Sequence, residues 1–143
     1  MKRVSTSDGM DLVRTSPFLD KRIKRLPEKL EEMRHALQTK NFTLFGEITE
    51  EDCLDMHHVM QTQKPPLIYW NDMTRTIMDA VLSWRNGGLP VYFTVDAGPN
   101  VHVICEGQHA EAVMEKIKTL SGIVEVIHNK PAGGAYMVDS HLF

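Results

Sequence analysis

One carboxylate stands out by its placement. Val91-Tyr92-Phe93-Thr94-Val95 alternates as a half-buried strand, and Asp96-Ala97-Gly98-Pro99-Asn100 stops that strand with turn-forming residues. Val101-His102-Val103-Ile104-Cys105 then starts a second strand. Gly98 tolerates positive φ, Pro99 fixes its own φ and Asn100 can bond locally. Asp96 therefore sits where a strand runs into a conformationally fixed loop. Such a carboxylate can take a proton from a ligand, because the strand aims it and the loop leaves room. A turn-capping aspartate is the plainer reading of the same residue.

Other chemistry-bearing residues are sparser. His57 and His58 are adjacent, so they point to different parts of a helix surface, whereas a two-ligand helical zinc site wants i, i+4 spacing. His35, His102, His109, His128 and His141 add no complementary spacing, and no metal site is expected. Cys53 and Cys105 form no CxxC pair and read as free buried thiols. Val4-Ser5-Thr6-Ser7-Asp8-Gly9-Met10 is a hydroxyl-rich loop that could present hydroxyl and N–H groups to a phosphate. Gly133-Gly134 could approach a phosphate closely, or simply turn the chain.

The elements that must position these residues follow from periodicity. Residues 1–16 read as a loop. Ser16 caps and Pro17 opens a short helix to about Arg25, and Pro27 restarts the chain in a second. There Leu30, Met33 and Leu37 share a face, while Glu28, Lys29, Glu31, Glu32 and Arg34 form a solvated one. A longer helix runs from Phe42 to about Gln61, with Phe45, Ile48, Asp52 or Cys53, Met56 and Met60 inward. Lys64-Pro65-Pro66 ends it. Asn71 or Asp72 caps the next, which turns Thr74, Ile77, Met78, Val81 and Trp84 inward. After the hairpin, a helix with Ala110, Val113, Met114, Ile117 and Leu120 inward closes at Gly122. Strands are expected at Ile123–Ile127 and Tyr136–Val138. Four helices, a hairpin, a helix and two strands predict an α+β fold: a four-stranded antiparallel sheet with helices packed largely on one face.

A chain of 143 residues, 42% hydrophobic and 24% charged, suits one domain with an adequate core. The net charge of -3 gives no global field for nucleic acid or an anionic membrane, so neither partner is expected. No apolar run approaches membrane-spanning length, and a cytoplasmic location is the default reading.

Val-Ser-Thr-Ser-Asp-Gly-Met at Val4–Met10, Thr15-Ser16-Pro17, Met56-His57, Pro65-Pro66-Leu67-Ile68-Tyr69-Trp70-Asn71-Asp72 and Tyr92–Asn100 occur in an order shared with one family. The chain resembles the C-terminal domain of the diphosphomevalonate decarboxylases, within the GHMP kinase superfamily. The resemblance implies a ferredoxin-like domain of an enzyme that phosphorylates the 3-hydroxyl of mevalonate 5-diphosphate with ATP. Loss of phosphate and CO2 then gives isopentenyl diphosphate. It implies Asp96 as the catalytic aspartate, and Ser5, Thr6, Ser7, Gly9 and Met10 as substrate-binding residues. Thr6 stands where the family usually has a second Ser, and Ser7 where some bacterial members have Arg. ATP and Mg2+ would be held mainly by an N-terminal domain that has no counterpart in these 143 residues, so the isolated chain is expected to be inactive. A homodimer is also implied. A free aspartate, with pKa about 4, is a feeble base, so its role must rest on position and late proton acceptance. The alternatives are a related mevalonate or phosphomevalonate kinase domain, and a non-catalytic ferredoxin-like interaction domain.

Overall fold

The computed structural model describes residues 12–134 and 137. Four α-helices and one antiparallel hairpin make an α+β domain. The order is α1 (Leu19–Gln38), α2 (Phe42–Thr62), α3 (Asp72–Asn86), β1 (Val91–Val95), β2 (Val101–Cys105) and α4 (Ala110–Lys118). No helix of the described residues is long and apolar enough to cross a membrane.

The two helices expected before Lys40 are one. Pro27 lies inside α1, where it removes an N–H that would bond the carbonyl of Ile23. Ile23 and Pro27 are both exposed, so the orphaned acceptor lies on the water-facing side. Packing against α2 offsets the defect. Arg22 donates to Asp52 and Asp55 at 3.0 Å each, and the Lys29 ammonium lies 3.3 Å from Glu51. Lys29 and Ala36 are therefore the buried residues of α1, and Leu30 and Leu37 are exposed. This reverses the face expected from periodicity, because ion pairs fix the rotation of the helix. Ser16 does not cap it either: the helix begins at Leu19, and the Ser16 hydroxyl lies 2.8 Å from that of Thr62.

The remaining helices form as read. Asn41 caps α2 through the N–H of Leu44. Asn71 and Thr74 close a capping box on α3, whose inward residues include Thr74, Met78 and Val81. The core joins Met78 and Val81 of α3, Val113 and Ile117 of α4, Cys53 of α2 and the odd residues Val91, Phe93 and Val95 of β1. Tyr92 points the other way and is buried against α2. A Cβ at Gly46 would fall within its ring, so only glycine lets the helix come this close.

The sheet has two strands among the described residues, not four. β1 and β2 pair in the register Val91↔Cys105 to Val95↔Val101. In an antiparallel ladder, alternate residues turn their backbone groups outward. On β1 these are the odd residues, and α2 and α3 occupy them with side chains. Glu50 accepts from the N–H of Phe93 at 3.1 Å, Arg85 donates to the carbonyl of Val91 at 2.9 Å, and Cys53 accepts from the N–H of Val95 at 3.2 Å. His57 Nε2 lies 2.8 Å from the carbonyl of Val95. Helix α2 thus flanks the sheet edge instead of covering its face, and that edge takes no further strand. The segment Ile123–Ile127 has no strand partner, and Val124 and Ile127 are exposed. An alternating sequence makes a strand only where it finds an edge. Tyr136–Val138 falls largely outside the described residues.

Glu50 is the centre of this arrangement. Its two oxygens accept from Arg85 at 2.7 and 2.8 Å, and the guanidinium stacks 4.5 Å from the Tyr92 ring. The hydrogen bonds from Glu50 hold the Arg85 guanidinium pKa above its usual value. Glu50→Gln is expected to cost about 3 kcal/mol, the low end for breaking a buried pair because Arg85 keeps some solvent contact. Urea denaturation of the 143-residue chain measures it.

Candidate functional site

β1 delivers Asp96 to the surface. Its side chain is 83% exposed, and the nearest ionisable partner is His102 on β2, with Nε2 3.4 Å from Oδ2. The carboxylate caps no turn. The tight bend is made by the backbone, with Gly98 N–H donating to the Asp96 carbonyl at 2.8 Å. The plainer reading of Asp96 as a turn cap is therefore not what the side chain does. An open carboxylate on a fixed loop is available to a ligand's proton.

The loop is tied down at both ends. On one side, the Val95 carbonyl meets His57 Nε2. On the other, the Thr74 hydroxyl donates to the Pro99 carbonyl at 2.7 Å. His57 packs against Trp70, ring centroids 4.7 Å apart, with Tyr69 at 6.2 Å. Tyr69 and Trp70 of the linker thereby back the His57 ring. Arg75 stacks on the outer side of Trp70 at 5.9 Å.

Of the residues expected in the site, the structure places Asp96 at an open position. Ser5, Thr6, Ser7, Gly9 and Met10 lie outside the described residues. Gly133 and Gly134 are exposed and make no turn against the hairpin. His57 and His58 do not act together: His57 is buried, and His58 is exposed and stacks with Phe18 at 4.3 Å. No cluster of three or more His, Cys, Asp or Glu able to hold a metal occurs among the described residues. Cys53 is buried and Cys105 half-buried; burial raises both thiol pKa values above normal. Neither His102 nor Thr74 is among the residues expected in the site. The pattern did hold a signal for His102, the polar residue of β2 just after the turn, on the side opposite its core residues.

The described residues thus form an α+β domain whose hairpin carries one open carboxylate on a loop held at both ends. Over residues 1–135 the chain matches the profile of the Mevalonate 5-diphosphate decarboxylase C-terminal domain. The diphosphomevalonate decarboxylase of Ganoderma lucidum is 32% identical over 124 residues, covering 81% of this chain and 31% of that protein. A solved mevalonate diphosphate decarboxylase from Enterococcus faecalis is 35% identical with a TM-score of 0.78, covering 82% of this chain and 37% of its own. A solved complex of MDDEF with MVAPP, AMPPCP and magnesium is 35% identical with a TM-score of 0.81, covering 85% and 38%. The chain belongs to the mevalonate 5-diphosphate decarboxylase C-terminal domain family. It spans about a third of the length of the curated relatives it matches.

Burial lowers the His57 pKa below the 6.5 of a free imidazole, against the opposing pull of the Val95 carbonyl and Asp96. As pH falls below 6.5 the unfolded chain takes up this proton first, so His57 makes stability decline with acidification and contributes no slope well above that pH. Urea midpoints measured from about pH 7.5 to about pH 5 should fall more steeply in the wild type than in His57→Gln.

Proposed function

We propose that this chain is the catalytic-aspartate part of an ATP-dependent decarboxylase that converts mevalonate 5-diphosphate to isopentenyl diphosphate, ADP, phosphate and CO2. The observation that carries this reading is the open carboxylate of Asp96, braced at a strand end, in a chain of this family. Asp96 takes the proton of the substrate's 3-hydroxyl as that oxygen bonds to the γ-phosphorus and the bond to ADP breaks. The phosphate then leaves C3 while the bond to the carboxylate carbon breaks. Its electron pair becomes the alkene, and CO2 departs.

ATP enters as a substrate. Magnesium and the nucleotide analogue accompany MVAPP in the MDDEF complex. Among the described residues no group of three or more His, Cys, Asp or Glu could hold a metal ion. We assign both to the N-terminal part of the enzyme, in the GHMP kinase manner. The substrate diphosphate is assigned to Ser5, Thr6, Ser7, Gly9 and Met10. The free thiols support a cytoplasmic location.

The test uses the complete enzyme, made from the reading frame that contains this chain or by joining the chain to the N-terminal part of the E. faecalis decarboxylase. Asp96→Asn should lower kcat about 10²–10⁴-fold with little change in KM for mevalonate 5-diphosphate. Near-normal turnover would remove the assignment. Mevalonate and mevalonate 5-phosphate as parallel substrates separate the decarboxylase from a related kinase.

A homodimer is supported by the outer face of α1, where Ile23, Leu30 and Leu37 recur every seven residues and each is more than half exposed. Leu30→Glu should shift the complete enzyme from dimer to monomer in sedimentation velocity. An unchanged dimer would place the interface elsewhere.

A further inference from the structure

We infer that His57 and Thr74 are positioning residues that aim Asp96 by gripping its loop at both ends, an assignment that rests on Asp96 being the proton acceptor. The loop cannot hold itself. Asp96, Ala97, Pro99 and Asn100 are all exposed, and the only backbone bond within it is the Gly98–Asp96 contact. A short exposed loop of this kind would sample many conformations unless something outside it fixed the ends.

The two grips come from different helices and are almost wholly inaccessible to water: His57 is 1% exposed and Thr74 0%. Both act on carbonyls that bracket the loop, Val95 just before Asp96 and Pro99 three residues after it. To bond that carbonyl, His57 must carry its proton on Nε2. A burial-depressed imidazole remains neutral near pH 7, and the Nε2–H tautomer is the form this contact selects. Cys53, one turn back on the same helix, accepts from the Val95 N–H, so the peptide before Asp96 is held on both sides.

A plain core histidine is the simpler account. Packing alone, however, gives no reason for it, because a leucine or phenylalanine would fill the space without burying a polar ring. Thr74 carries the same logic. The capping box uses its N–H and an oxygen facing Asn71, whose Oδ1 lies 3.0 Å from the Thr74 hydroxyl, yet that hydroxyl lies nearer the Pro99 carbonyl, at 2.7 Å. Proton transfer is sensitive to such support, since displacement of a reacting group by about 1 Å can lower the rate about 10²-fold.

Steady-state kinetics of the complete enzyme with mevalonate 5-diphosphate and ATP test this. His57→Leu and Thr74→Val should each lower kcat about 10–100-fold while both KM values stay within about twofold. His57→Gln and Thr74→Ser keep a donor in place and should recover most of the loss. In an Asp96→Asn background, adding His57→Leu should leave the residual rate within about twofold, because no carboxylate remains to be aimed. Full kcat in His57→Leu and Thr74→Val, no rescue by Gln or Ser, or an equal loss in the Asp96→Asn background would each overturn the inference. If His57→Leu does not fold, the Thr74→Val and Thr74→Ser pair decides the matter. Wild-type turnover by Asp96→Asn alone would instead remove the functional reading beneath it.

Discussion

The structure depends on how the outer edge of one strand is satisfied. β1 is paired on one side only, and its other row of N–H and C=O groups is buried where no water can reach it. Leaving such groups bare is costly, and a neighbouring strand is the usual remedy. Here Glu50, Cys53 and His57, at successive turns of α2, take that place, with Arg85 of α3 completing the row. A helix at the side of a sheet ordinarily offers only apolar packing. This one offers a ladder of side chains, and so fixes the height of the strand along the helix as well as its distance.

That register has a functional consequence. The Glu50–Arg85 pair anchors Val91 and Phe93, while Cys53 and His57 anchor Val95, so the strand is held along its length until the point where it releases Asp96. Arg85 ties the same carboxylate to α3, and α3 in turn reaches the far end of the loop through Thr74. Helix, strand and loop are one connected polar network, most of it inaccessible to water. The aspartate is exposed only because everything behind it is not. Rigidity and openness, which an acid–base group needs together, come from opposite faces of the same hairpin.

The hairpin, α2, α3 and α4 were legible in the sequence because their patterns are local. Alternation over Val91–Val95 and the cap at Asn71 or Asp72 need no knowledge of the rest of the chain. What failed was decided at longer range. Pro27 reads as a break, yet the pairs from Arg22 and Lys29 to Glu51, Asp52 and Asp55 carry α1 straight through it. Ile123–Ile127 alternates like a strand, yet among the described residues it pairs with neither β1, whose free edge is filled by side chains, nor β2. Asp96 was legible as a candidate through turn chemistry and family resemblance together. Glu50, which organises the strand beneath it, was invisible: nothing about a glutamate in a helix announces that it will bond an arginine 35 residues on and a backbone N–H 43 residues on.

The Asp96 side chain stands in solvent, with His102 Nε2 3.4 Å from its Oδ2. Under the proposed function its advantage is geometric. In the proposed reaction the tertiary hydroxyl becomes acidic only as its oxygen gives electrons to phosphorus, so an acceptor would be needed late and in one place. A group that need not be basic but must be well aimed is best mounted on a braced loop at a strand end. The braces are best made of uncharged donors, which hold the backbone without adding a competing charge beside the carboxylate. A neutral imidazole and a threonine hydroxyl meet that requirement, and a lysine or arginine at either place would not.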